Sequence, residues 1–384
     1  MRIVYIYPAL TTVGGADRVI TDKANYLAEK FGYEVFIITA HQNGKPFFFT
    51  LSPMVNHIDL GVNFNKQYNH SFFVRGYIYL KLLRVYKKKL TNILKELKAD
   101  FVLTSISRDI DFLFSINDGS IKIAESHVPK KFVRNLHLMQ RRNILYKCVG
   151  NIWTKRLEKT AKKFDAFVVL TKQDADDWSP IRSCTVIPNP LPFFPEHESS
   201  CMEKKIISVG RLYEEKGYDR LIEAWALVAK KFKDWKLYVY GEGELKDFLN
   251  RLILKNGLSD SFFLRDPVMN IMNKYVESSF YVMSSRFEGF GMVLVEAMAC
   301  GLPVVSFNCP TGPANIISDN EDGFLVEDSN IQQFADKMSF LIDNEEIRIQ
   351  MGHKARENVK RYNQDFIMEE WISLFTRLKN GSFK

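Results

Sequence analysis

The sequence predicts an α/β protein made of two halves, and three observations carry that prediction. The chain opens as strand, loop, helix and strand: Ile3–Tyr7, Pro8–Gly15, a helix from about Ala16 to Phe31, then Glu34–Thr39. That βαβ order implies a parallel sheet with a ligand at the carboxyl ends of its strands. Three prolines in Pro188-Asn189-Pro190-Leu191-Pro192, followed by a polar stretch to Lys204, mark a hinge or linker. Beyond it the strand–helix alternation restarts at Lys205–Val209 and runs to about Tyr362.

The remaining elements follow from hydrophobic runs and their breakers. In the first half, strands are expected at Phe101–Thr104, Ile121–Ala124, Ala166–Leu170 and Thr185–Ile187. The segment Lys45–Phe73 is aromatic-rich and irregular, and no element is assigned to it. In the second half, strands are expected at Lys236–Tyr240, Phe262–Leu264, Phe280–Met283, Pro303–Phe307 and Phe324–Val326. The final stretch, Phe366–Lys379, places Phe366, Ile367, Trp371, Leu374, Phe375 and Leu378 along one apolar stripe, so this helix needs a partner. The domains are therefore 1–190 and 201–365, with 366–384 a separate docking helix.

Length and composition narrow the function. At 384 residues, each half can bury its own core, and 46% hydrophobic with 26% charged residues is ordinary for a soluble enzyme. No apolar run reaches transmembrane length, and MRIVYIYPAL has too short an apolar core for a signal peptide. Five cysteines without metal-type pairing read as reduced thiols, so a cytoplasmic location is expected. The net charge of +8 is uneven, with 21 Lys/Arg against 8 Asp/Glu between His70 and Asp165. Arg75–Lys98 and Lys130–Lys163 mix these cations with aromatic and aliphatic residues at helical spacing. Such helices are either solvated faces over the core or surfaces for an anionic membrane, which would be the inner face of the cell membrane. No nucleic-acid module accompanies the charge, so nucleic acid is not an expected partner.

The chemistry concentrates in Ser284–Val305, SSRFEGFGMVLVEAMACGLPVV. Strand, loop, helix, Gly-Leu-Pro stop and strand follow in order. Gly289 and Gly291 let backbone approach a ligand, and the free N–H groups of the next helix suit a phosphate or diphosphate. Glu288 stands on the loop, and Glu296 lies about five residues into the helix. A carboxylate accepts two hydroxyls at once, which suits a hexose at one position and a ribose at the other. Upstream, Ser208-Val-Gly-Arg-Leu-Tyr-Glu-Glu-Lys-Gly217 sets Arg211 and Lys216 on the loop after a strand, a guanidinium fork and a point charge for a diphosphate. No metal-ligand cluster is found, so neither a metal nor any other cofactor is expected.

These phrases resemble the retaining glycosyltransferases of family 4, which carry an E-x7-E motif, here Glu288 and Glu296. The resemblance covers roughly residues 2–39, 120–190 and 205–380. It implies a GT-B architecture: two Rossmann-like domains facing across a cleft, with the last helix crossing back to the N-terminal domain. It also implies roles residue by residue. Arg211 and Lys216 match the G-R-x-x-x-x-K-G phosphate clamp, and Gly289, Phe290 and Gly291 the donor loop. Gly14 and Gly15 match a Gly-Gly-Ala-Glu-Arg loop at the donor phosphates, although Asp17 stands where the glutamate is usual. His127, in Glu125-Ser126-His127, matches a histidine that touches the donor sugar. Val268 would offer backbone to the nucleobase, although Leu264-Arg265-Asp266-Pro267 stands where a glycine near the base is usual. Cys309-Pro310-Thr311-Gly312-Pro313 looks like a loop of enzymes that build capsular, lipopolysaccharide and lipid-linked glycans.

The expected function is therefore retaining, metal-independent transfer of a hexosyl or N-acetylhexosaminyl group. The donor would be a nucleotide sugar, with a UDP-sugar favoured, and the acceptor a glycan or polyisoprenyl-linked glycan. A GDP-mannose-dependent mannosyltransferase and a GT-B sugar-nucleotide epimerase are the alternatives. A glycosidase using Glu288 and Glu296 fits less well, because one acid lies inside a helix just after an anion-binding loop.

Overall fold

The structure, a computed structural model, describes residues 1–135, 144–179, 181 and 183–381. It divides into two compact units: Met1–Pro190 together with the chain from Ile367 onward, and Leu191–Phe366.

In the first unit the elements run β1 (Arg2–Tyr7), α1 (Gly15–Phe31), β2 (Glu34–Thr39), β3 (Val55–Asp59), α2 (Phe72–Leu97), β4 (Phe101–Ser105), β5 (Ile121–Glu125), α3 (Ile144–Ala161), β6 (Ala166–Val169), α4 (Lys172–Asp177) and β7 (Cys184–Val186). The strands form one parallel sheet in the order β3-β2-β1-β4-β5-β6-β7. Alternation along β1 sends Val4 and Ile6 into a core with Tyr86, Leu90 and Leu94 of α2. On the other face lie Tyr5 and α1, whose Val19, Ile20, Ala24 and Leu27 are buried at helical spacing. The last helix, Gln364–Lys379, also belongs here, as the family resemblance implies. Its Phe375 ring lies 4.6 Å from that of Phe101, and Trp371 is fully buried. One carboxylate, Asp100, accepts hydrogen bonds from the Arg2 backbone N–H at 2.8 Å and from Lys379 Nζ at 2.9 Å.

The segment left unassigned, Lys45–Phe73, contains β3 and a 3₁₀ turn, Phe64–Asn69. The strand is hard to read because it is an edge strand of five residues, VNHID, with only Val55 fully buried. The basic stretch Arg75–Lys98 is α2. While one side of it enters the core, Val74, Tyr77, Leu80 and Val85 stay exposed among the cations. The second basic stretch is a 3₁₀ turn (Lys130–Asn135) and α3, which exposes Ile152 and Trp153. Residues 136–143 of that stretch lie outside the described residues.

The second unit repeats the plan with β8 (Lys205–Val209), α5 (Tyr218–Val228), β9 (Lys236–Tyr240), α6 (Lys246–Lys255), β10 (Phe262–Arg265), α7 (Ile271–Val276), β11 (Phe280–Met283), α8 (Met292–Ala299), β12 (Val304–Phe307), α9 (Pro313–Ile316), β13 (Gly323–Val326), α10 (Ile331–Asp343) and α11 (Glu345–Asn358). Its parallel sheet has the order β10-β9-β8-β11-β12-β13. Leu221, Ile222 and Trp225 of α5, Leu249 and Ile253 of α6 and Phe334 and Met338 of α10 close one face of it over Ile206, Leu237 and Val282. In both sheets the order of strand addition reverses beside the first strand, between β1 and β4 and between β8 and β11. Open parallel sheets bind ligands at such a switch point, at the strands' carboxyl ends.

Candidate active site

The loops leaving β8 and β11, neighbours across the switch point, carry the cations and the acid singled out by the sequence. After β8 the chain passes Arg211, makes a 3₁₀ turn at Glu214–Lys216 and enters α5 through Gly217, whose φ is +63°. A Cβ on Gly217 would lie 2.2 Å from the Ser284 carbonyl oxygen, so no side chain fits there. That contact brings the two loops together, and Arg286 staples them. Its guanidinium forks onto Asp219 at 2.9 and 2.6 Å and donates to the Glu214 carbonyl at 2.8 Å. Its own N–H donates to the Glu215 carbonyl at 2.7 Å, and Ser284 Oγ donates to the Lys216 carbonyl at 2.9 Å.

Within this clasp, Lys216 Nζ sits 2.7 Å from Glu288 Oε1, the same oxygen that accepts from Ser285 Oγ at 2.6 Å. Arg211 is held by Glu215 at 2.9 Å, with its side chain over half exposed. A third loop, after β12, completes the surround. Glu288 N–H donates to the Pro310 carbonyl at 2.7 Å, and Thr311 N–H donates back to the Glu288 carbonyl at 3.0 Å. The CPTGP loop therefore lies beside the acid. At Gly291, φ of +102° turns the chain into α8, so that helix starts just past the acid with its first N–H groups free of intrahelical partners. Phe290 is buried, edge-on to Tyr362 at 5.3 Å. Glu296 is the fifth residue of α8 and accepts from Tyr275 Oη at 3.0 Å. Val268 stands exposed on the loop after β10, two strands from β8.

The first unit holds the other residues singled out. Gly14 caps α1, which begins at Gly15, at the carboxyl end of β1. Asp17, in the first turn, is buried and accepts from Tyr7 Oη (2.9 Å), Thr12 N–H (3.0 Å) and Thr12 Oγ1 (3.0 Å). Burial raises its pKa while these bonds oppose the rise, so its carboxylate braces the loop ahead of Gly14. His127 lies two residues past β5, with Nε2 3.5 Å from Glu125 Oε1, and neither buried ring nitrogen has a hydrogen-bond partner among the described residues. Glu125 in turn accepts two bonds from Lys23 Nζ, at 2.7 and 2.9 Å. Burial alone would raise Glu125, but the Lys23 ammonium and His127 hold it down at about 2.

Comparison with known proteins gives the family and the fold. Residues 192–358 match the family model for glycosyl transferases group 1. An uncharacterized glycosyltransferase of Haemophilus influenzae is 30% identical over 384 residues, covering 96% of this chain and 98% of its own. The chain belongs to the group 1 glycosyltransferases. This glycosyltransferase is also 32% identical over 225 residues to the poly(ribitol-phosphate) alpha-N-acetylglucosaminyltransferase of Staphylococcus aureus, covering 58% of this chain and 46% of that one. Its fold matches a structure of S. aureus TarM, a point mutant in complex with fondaparinux, alpha-GlcNAc-glycerol and UDP, with a TM-score of 0.77 at 18% identity, covering 97% and 99% of the two chains. Anabaena HepE in complex with UDP and glucose matches with a TM-score of 0.73 at 15% identity, covering 98% and 99%. Both sheets of the enzyme are thus those of the GT-B fold.

Two groups in the glycosyltransferase have no counterpart in the sequence reading. Arg286 reads as a loop charge until Asp219 is seen opposite, and Lys23 reads as one more cation on an amphipathic helix. A hollow of about 620 Å³ lined by Lys98, Asp100, Asn117 and Lys379 opens at the amino ends of β4 and β5, away from the site loops.

Proposed function

We propose that this glycosyltransferase moves a hexosyl or N-acetylhexosaminyl group from a UDP-sugar to a glycan or polyisoprenyl-linked glycan acceptor in surface polysaccharide synthesis, with retention and without a metal. The observation that carries the reading is the Lys216–Glu288 pair beside the N-terminus of α8 and the Arg211 loop. Arg211, Lys216 and the helix N–H groups supply the positive charge that a departing nucleoside diphosphate needs, with no metal required. A phosphate arriving at Lys216 competes for the ammonium and leaves Glu288 to hold and orient sugar hydroxyls. Glu296 takes the ribose, Val268 and its neighbours the base, and His127 the donor sugar. The transfer is a front-face displacement: the acceptor hydroxyl attacks the anomeric carbon as the C–O bond to the diphosphate breaks, and the departing phosphate oxygen takes the hydroxyl proton.

Support for the donor and acceptor comes from the relatives. The S. aureus enzyme is named for making an alpha linkage to a ribitol-phosphate polymer, and the TarM and HepE structures contain UDP. An alpha product from a UDP-α-sugar is retention. For the acceptor side, the exposed Val74, Tyr77, Leu80 and Val85 among the cations of α2 form a face suited to an anionic membrane surface at the inner side of the cell. Among the described residues no helix is long and apolar enough to cross a membrane.

The test is a thermal-shift panel of UDP, GDP, ADP and their sugar adducts, with and without EDTA. Stabilisation by UDP that EDTA leaves intact is expected. A GDP preference would move the donor to mannose, and no response to any nucleotide would overturn the phosphate clamp. A trapped glycosyl adduct on Glu288 would replace the front-face route by double displacement.

A further inference from the structure

Beneath His127 lies a buried ionic cluster that the transfer chemistry above does not use. Lys23, from the middle of α1, and Glu125, the last residue of β5, are 102 positions apart and both almost wholly buried. The ammonium takes both carboxylate oxygens, at 2.7 and 2.9 Å, and lies 3.7 Å from the centre of the Trp371 ring of the last helix and 5.8 Å from that of Tyr5. Burying two charges costs several kcal/mol before their attraction returns it, and an apolar pair of equal volume would fill the space at no such cost. What the apolar pair could not supply is a fixed anion beside the imidazole of His127, whose Nε2 is 3.5 Å from Glu125 Oε1.

We infer that Glu125, locked by Lys23 under the Trp371 ring, is a positioning residue that sets the orientation and tautomer of His127 for the donor sugar. The carboxylate draws the imidazole N–H to Nε2 and leaves Nδ1 as an acceptor for a sugar hydroxyl. At 3.5 Å the contact is electrostatic, and a small rotation of the ring closes it to a hydrogen bond, as catalytic contacts tighten once substrate is bound. The arrangement also accounts for the two ring nitrogens left without hydrogen bonds. Because Lys23 lies on the helix that begins at Gly15, the same pair fixes the Gly14–Gly15 loop relative to His127. In this account Trp371, although far along the sequence, shields the ammonium from water and from competing anions.

This inference rests on the role proposed for His127, and its test separates the two. Glu125→Gln, His127→Ala and the double variant are assayed for transfer from a UDP-sugar, with UDP-induced thermal shift as a check on nucleotide binding. Each single variant should lower kcat by 10- to 100-fold with the UDP shift unchanged, and the double should be no worse than His127→Ala within about twofold. Fold-losses that multiply in the double variant, or a folded Glu125→Gln with wild-type kcat, would overturn the inference. A second readout does not need activity. The His127 ring resonances, assigned by their loss in His127→Ala, should move in Glu125→Gln and in Trp371→Phe. If the wild type transfers no sugar from any donor, the functional reading fails on its own, and unmoved His127 resonances would still overturn the positioning role. Lys23→Met/Glu125→Leu replaces the ionic pair by an apolar one. It should fold and show the same displaced His127 resonances, and wild-type resonances in it would refute the role.

Discussion

The two units each place a lysine–glutamate pair at the carboxyl end of a parallel strand, with the same 2.7 Å separation, and the pairs are built for opposite purposes. Lys23–Glu125 leaves 1% and 3% of its side chains exposed, whereas Lys216–Glu288 leaves 17% and 11%. The first is closed in by Trp371 and cannot exchange partners without opening the core. The second shares its oxygen with Ser285 Oγ and sits on loops, where the function proposed above has a phosphate compete for the ammonium. Equal distances therefore say little about what an ion pair does. Burial and the elements that carry the pair decide it.

The largest expected effect comes from breaking the closed pair. Lys23→Met leaves Glu125 buried without its ammonium partner, and should lower stability by roughly 3–5 kcal/mol in denaturant titration. Lys216→Met should cost about 1 kcal/mol or less and act on catalysis instead. A Lys23 variant as stable as wild type would erase the contrast between the pairs.

Next come the acids of the open site. Glu288→Gln should lower kcat about 10²- to 10³-fold with UDP affinity nearly intact, while Glu296→Gln should mainly weaken nucleotide binding. Steady-state kinetics beside UDP titration checks this, and equal loss of both properties in both variants would undo the division of labour.

A third comparison sets Glu125 against Asp174, two carboxylates of the same unit that burial pushes up alike but whose cations differ: Lys23 takes both oxygens of Glu125, whereas the Lys130 charge opposes the rise at Asp174 only slightly. Burial raises Asp174 from 3.8 to about 6, against the bond its Oδ1 accepts from Lys130 N–H at 3.0 Å. Its folded value lies above its unfolded one, so its contribution is fully present below about pH 3.8 and lost as pH rises through about 6. Glu125 lies below its unfolded 4.5, so its contribution is present above that and lost as pH falls toward about 2. Asp174→Asn should remove about 2–3 kcal/mol of pH dependence between pH 4 and 7, read from urea titrations at several pH values, and leave the acid limb to Glu125.

The smallest effect is expected at the staple. Arg286→Lys replaces the fork on Asp219 by a single point contact on half-exposed partners, with a stability loss of no more than about 1 kcal/mol and a several-fold rise in donor KM. A KM unchanged in this variant would show that the two site loops keep their places without it.

How far the sequence could be read follows the same division. The strands around both switch points were legible because parallel strands buried on both faces appear as short apolar runs such as VVSF and FYVM. The positions of Arg211, Lys216 and Glu288 just past those strands were legible for that reason too. The edge strand β3 was not, since only Val55 of its five residues is buried and Asn56 and Asp59 are exposed. Nor were Lys23–Glu125 and Arg286–Asp219, whose partners are 102 and 67 residues apart and carry no local pattern. Asp17 was visible only as a shortened glutamate, and its employment by Tyr7 and Thr12 follows from a loop geometry that composition does not encode.

The first unit, finally, is not continuous in the chain. Its sheet begins at Arg2 and its core is completed by Trp371 and Phe375, with the whole of the second unit encoded between. On a ribosome, which releases the chain from the amino end, the second unit can fold while the first still lacks the helix that covers Lys23 and Phe101. Until residue 375 emerges, a buried charge and an aromatic groove stand open to water and to other chains. A stop codon ahead of the sixteen-residue helix Gln364–Lys379 would therefore leave the first unit without the Trp371 and Phe375 that complete its core, however far the second had folded.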